Sequence, residues 1–141
     1  MTQEAKFIGD VKAQWLKDGR RMKLLEDFLF IDSSGKQWAA MKGESVDGAS
    51  IPKILWTSVG PPFVGKYRRA TVLHDVECVH RREPHKVVHQ MLYEAMLADK
   101  TPKPLAKKIY LAVSMFGPRW DEHGNDLKPD SDDDMDFWQD L

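Results

Sequence analysis

Residues 74–89 read HDVECVHRREPHKVVH, and the fold turns on how this stretch is divided. It holds four of the five histidines and the only cysteine, with one Asp and two Glu among them. The Arg-Arg-Glu-Pro step at 81–84 interrupts it, because proline has no backbone N–H to give a helix and disfavours helical geometry in the residue before it. The stretch therefore predicts two helices joined by a tight turn: one over about 66–80, the next from near Pro84 to about 98. Working outward, Pro102-Lys103-Pro104 opens a third helix over about 104–116, which Gly117-Pro118 stops. On the other side Ser50 can cap a short helix over 51–59, with Pro52 in its first turn and Gly60-Pro61-Pro62 at its end.

The N-terminal third reads as strand. Residues 7–16 mix apolar and polar positions, and Phe28-Leu29-Phe30-Ile31 is an aromatic and β-branched run. Ser33-Ser34-Gly35 offers a tight turn from which Gln37–Met41 returns as a partner strand. A helical reading of 22–30 is also open, since Leu, Lys and Glu propagate helices well. The expected class is α+β: a small antiparallel sheet of about three strands beside a bundle of about four helices.

Composition bounds the function. A chain of 141 residues fits one domain, and 21 Lys+Arg against 22 Asp+Glu gives no global pull toward nucleic acid or an anionic membrane. One cysteine excludes an internal disulfide. The start, Met1-Thr2-Gln3-Glu4, lacks the charged-then-apolar order of a signal peptide, and no apolar run approaches the roughly 18 residues of a membrane span. The expectation is a soluble protein made in a cytoplasm.

At about 100° per residue, Val72, Val76 and Val79 share one helical face, while His74 and Cys78 share roughly the opposite one and Asp75 lies between. In the second helix Val88, Leu92 and Met96 form an apolar stripe along which His85 and His89 lie, so His89 points inward. A buried imidazole needs a hydrogen-bond or metal partner. Three readings stay open. His74-x3-Cys78 with His85-x3-His89 supplies a tetrahedral zinc set of one cysteine and three histidines. His74 acts as a general base oriented from the facing helix, with Asp75 holding a cation that polarises the substrate. Or His74 and His89 are satisfied core histidines, and His80 and His85 lie on the surface near the helix–helix turn.

DGASIPKILWTSVGPP, then YRRATVLHD and LYEAM, resemble the phage- and prophage-associated domain of unknown function 1353 (DUF1353). The resemblance covers about residues 25–120, placing one such domain at 1–120 and a separate tail at 121–141. It implies a phage or prophage source and no established activity. Two departures stand out: Cys78 where the family usually has Tyr, and His89 where it usually has Asp. The layout of His74, Asp75 and position 89 is also similar to phospholipase A2, in which a His-Asp pair on one helix is oriented by an Asp on the antiparallel helix. The candidate catalytic residues are therefore His74, Asp75 and His89. The candidate ligands for a divalent cation, zinc or calcium, are these three with Cys78, His85 and Asp47. Asp47 and Ser50 equally suit an Asx-turn and a helix cap.

The tail holds six Asp within 130–141, with Met135, Phe137, Trp138 and Leu141 interleaved. Aromatic anchors amid acid suggest docking, on other phage structural proteins or on a second copy, with Lys103, Lys107 and Lys108 as an internal basic acceptor. The leading functional expectation is a phage accessory protein, acting as a metal-dependent hydrolase on a lipid or cell-envelope substrate, in the host cytoplasm or the virion. Its competitor is a non-enzymatic virion or assembly protein in which the histidines are structural. Membrane lipid is a partner only on the phospholipase-like reading, and direct nucleic-acid binding is not expected.

Overall fold

The computed structural model describes residues 3–48, 51–52, 55–56 and 66–127. Six short strands come first: β1 (Lys6–Ile8), β2 (Ala13–Trp15), β3 (Met22–Leu24), β4 (Phe28–Ile31), β5 (Gln37–Ala40) and β6 (Ser45–Val46). Three helices follow: α1 (Arg68–His80), α2 (His85–Ala98) and α3 (Lys103–Phe116). The class is α+β, as expected, but the strands form two three-stranded antiparallel sheets, ordered β1-β4-β5 and β2-β3-β6. The single meander of about three strands is thus corrected to two small sheets, and 22–30 is not helical. The four-helix bundle is corrected too, to three helices among the described residues. Of the short helix expected at 51–59, Leu55 and Trp56 are helical, Ile51 and Pro52 are not, and residues 53–54 and 57–59 lie outside the described residues.

The β4–β5 hairpin follows from its side-chain alternation. Phe28 and Phe30 point inward, opposite Ala40 and Trp38 in register, and all four are buried. Asp32 builds the turn. Its carboxylate accepts the backbone N–H groups of Ser34 and Lys36 at 2.9 and 3.0 Å, and its second oxygen accepts Trp38 Nε1–H at 3.1 Å. Gly35 supplies the left-handed residue, with φ +88°. The hairpin is tied to the helices by Ser33 N–H, which donates to Glu94 on α2 at 2.6 Å.

Helix α1 is the central element. Every residue from Ala70 to Cys78 is buried, because β5 and β6 pack on one side and α2 on another. Val79, expected on the apolar face with Val72 and Val76, lies past this enclosed stretch and is exposed. Helix α1 ends at Arg81, a non-glycine residue in the left-handed region at φ 55°. That conformation is disfavoured for a side chain with a Cβ, so it needs support. Arg81 has it: Nε–H donates to Cys78 O at 3.0 Å and Nη1–H to Gly124 O at 2.7 Å, and the guanidinium lies 5.0 Å from the centre of the Trp120 ring. The turn that reverses the chain into α2 is held by the segment after α3.

Candidate functional site

His74, midway along α1, and His89, one turn into α2, meet across the helix pair. His74 Nε2 stands 2.9 Å from His89 Nδ1, and His89 Nε2 stands 2.9 Å from the carbonyl oxygen of Pro118, just after α3. Both rings are buried, His74 completely. Burial holds His74 far below the ordinary imidazole range, helped by His89. Burial likewise pushes His89 down to about 4, against the opposing effect of the Pro118 carbonyl. Both rings are therefore neutral at pH 7, which assigns their protons. A carbonyl only accepts, so His89 carries its proton on Nε2 and a lone pair on Nδ1. His74 then donates from Nε2, and its own lone pair sits on Nδ1. Cys78 Sγ lies beside the same ring, 3.6 Å from Nε2 and 3.8 Å from Nδ1.

Asp75 reaches the segment after β6. Its buried carboxylate accepts the backbone N–H of Asp47 at 3.1 Å. The two halves of the Asp-Gly-Ala-Ser-Ile-Pro and His-Asp pattern are thereby joined, with Asp75 holding the start of the first. The Asp47 side chain belongs to an exposed residue. Ser50 lies outside the described residues.

His85 opens α2 and is half-buried. Its ring packs edge-on against His89 and Trp120, with centroids 5.8 and 5.7 Å away. Burial, Arg119 and Lys86 all lower its pKa. His80 is exposed and pairs with Glu44.

Of the candidate residues, the fold brings His74, His89 and Cys78 together and sets His85 beside them. It directs Asp75 to a backbone amide. The arrangement does not fit a cation. The facing nitrogens of His74 and His89 share a hydrogen bond, whereas zinc would need each about 2.0–2.1 Å from a metal between them. A hard cation would need oxygen ligands, and one oxygen of Asp75 is already engaged with the main chain. Among the described residues, no group of three or more His, Cys, Asp or Glu converges to hold a metal. What the site does present is a neutral, oriented imidazole chain linking all three helices.

Three participants were missed by sequence reasoning. Pro118 contributes a backbone carbonyl, which no side-chain pattern reveals. Trp120 is buried, and its Nε1–H donates to Glu83 O at 2.9 Å, closing the α1–α2 turn. Glu77 is buried on α1 and pairs with Arg82. The Gly117-Pro118-Arg119-Trp120 run was the one available signal, since a helix stop followed by a large aromatic marks a segment that folds back.

This is a small α+β domain organised around a buried histidine pair that the segment after α3 completes. Residues 22–113 match the family model described as protein of unknown function (DUF1353), and the chain belongs to that family. The chain is similar to uncharacterized protein y4iH of Sinorhizobium fredii (strain NBRC 101917 / NGR234), 41% identical over 103 residues, 73% of this chain and 43% of that relative. It is also similar to uncharacterized protein y4jT of the same organism, 40% identical over 98 residues, 70% of this chain and 29% of that relative. The chain thus spans less than half the length of either relative. No solved structure matches it.

Proposed function

We propose that the domain is a non-enzymatic accessory or assembly module, in the phage or prophage setting that the family resemblance implies, and that its histidine chain locks the three helices together. One observation carries this reading: His74 and His89 are enclosed, neutral and bonded to each other and to Pro118, an arrangement that serves packing without any substrate. The matched region also makes up only part of two longer relatives, which suits a module combined with other segments.

A hydrolase reading has its own specific support. The tautomer chain leaves the lone pair of His74 on Nδ1, the form a general base requires, and the neighbouring Asp75 holds the start of the signature loop. On that reading the enclosing segment would have to move before substrate reached His74.

The purified chain and its His74→Ala variant are compared on phospholipid vesicles and cell-wall fragments, with and without chelator. The expected result is equal, chelator-insensitive background for both, with a lowered melting temperature for the variant. Turnover by the natural chain that the variant loses, while its circular dichroism stays native, would replace the assembly reading with the hydrolase one.

A further inference from the structure

The β2–β3 hairpin concentrates positive charge. Residues 12–23 read KAQWLKDGRRMK, with Lys12, Lys17, Arg20, Arg21 and Lys23 against the single carboxylate of Asp18. That is a local net of four positive charges in a chain whose formal net charge is −1, so the near balance of the whole chain does not describe this surface. All five cationic residues are exposed. Lys17, Arg20 and Lys23 form no ion pair among the described residues. Arg21 pairs with Asp18 at 2.7 Å and Lys12 with Glu26 at 3.3 Å, both at the surface, where such pairs hold a cation weakly. Asp18 also accepts the backbone N–H groups of Arg20 and Arg21 at 2.9 and 3.0 Å, so it shapes the turn between the strands. The register sets Trp15 opposite Met22 and Gln14 opposite Lys23, and directly opposed residues share a face. Trp15 is therefore on the face of buried Met22 and Leu24, yet as the last residue of β2 it is 59% exposed. Lys23 stands on the other face, with Arg21 two residues along.

We propose that this hairpin binds single-stranded nucleic acid, its cations contacting phosphates and Trp15 stacking on a base. Charge complementarity selects a polyanion. An exposed indole among the cations selects one that carries flat aromatic groups. Strand β2 is an outer strand of its sheet, so the indole and Lys23 lie on either side of an edge. A flexible strand crossing that edge reaches both. An anionic bilayer offers the charge but approaches one face, where it meets the indole or Lys23 and not the two together. A duplex keeps its bases stacked, so it offers Trp15 no partner without the cost of unstacking. The surface takes no residue from the histidine chain, and its binding is independent of whether the domain is an enzyme.

The test titrates the full chain into a fluorescein-labelled oligothymidylate of about 16 nucleotides, read by anisotropy. Binding should saturate in about 0.05 M NaCl and weaken more than about tenfold by about 0.2 M, as released counterions require. Tryptophan fluorescence should be quenched in step. Lys17→Glu with Arg20→Glu should weaken binding more than about tenfold. Trp15→Ala should weaken it about tenfold and remove the quenching, and Trp15→Phe should recover part of the affinity. These side chains are exposed, so the melting temperature should stay that of the natural chain. Three results would overturn the proposal. Absence of binding in about 0.05 M NaCl removes the nucleic acid as partner. A duplex of the same length bound as tightly, with Trp15→Ala unaffected, reduces the surface to charge alone. Phosphatidylserine vesicles bound by the natural chain, with the oligothymidylate ignored, assign the hairpin to a membrane.

Discussion

Replacing His89 by alanine should lower the stability of the domain by about 3–5 kcal/mol, a large share of what a chain of this size has to lose. The change removes the acceptor for His74 Nε2–H and the donor to Pro118 O in one step, and it leaves a cavity between α1 and α2. A fall in melting temperature of more than about 10 °C is the corresponding observation. His89→Gln should cost less, because its amide can still donate toward the Pro118 carbonyl. Acid should act on the same pair. His89 has a folded-state pKa of about 4, below the unfolded value near 6.5, and His74 is depressed in the same direction. The unfolded chain therefore binds more protons between these limits. The stability that depends on neutral His89 is complete above about pH 6.5 and is lost as the pH falls toward about 4, up to roughly 3 kcal/mol from this residue. The alanine variant should show a flatter acid limb than the natural chain. Unchanged melting together with an unchanged acid limb would mean that the pair does not hold the helices.

The same pair shows how far residues alone carried the fold. The inward direction of His89 was legible because Val88, Leu92 and Met96 fix the buried face of α2, and the Pro84 break set the antiparallel helix pair. The β4–β5 hairpin was legible because Phe28, Phe30, Trp38 and Ala40 alternate around a recognisable turn. The division into two sheets was not. Strands β2, β3 and β6 have three, three and two residues, too short for a period of two to show. The enclosure of α1 was hidden for another reason. Spacing sets Asp75 between the two faces of α1 and says nothing of Glu77, yet both are buried, with Asp47 N–H and Arg82 reaching them from outside the helix. Such partners belong to tertiary structure, and sequence spacing within one helix cannot display them. The zinc reading meets the same limit: His74-x3-Cys78 and His85-x3-His89 have ligand spacing, but spacing does not say that the ring nitrogens of His74 and His89 stand at hydrogen-bond distance from each other. The acidic segment 130–141 lies outside the described residues, and its aromatic anchors remain a property of sequence.

Gly117→Ala should destabilise the domain by about 2–3 kcal/mol through the same network, although the site itself is untouched. The backbone at Gly117 is extended, with φ −80° and ψ −175°, a conformation any residue can adopt, so freedom of φ is not the reason for glycine here. Space is. A Cβ at this position would stand 2.5 Å from the carbonyl oxygen of Val113 and 3.0 Å from Val113 Cγ1. Gly117 N–H donates to that same Val113 oxygen at 2.8 Å, so the closing turn of α3 cannot yield without losing its bond. The next residue is Pro118, whose carbonyl holds His89. Relief of the clash must therefore displace the acceptor at the end of the histidine chain. Calorimetry should show the loss of stability, and nitrogen-detected NMR of the imidazoles should show a shifted His89 Nε2 in a chain that still folds. Trimming Val113 to alanine in the Gly117→Ala background should not rescue it, since this removes the Cγ1 contact but leaves the carbonyl in place. A fully stable Gly117→Ala variant with an unshifted His89 resonance would show that the segment after α3 can move independently of the histidine pair.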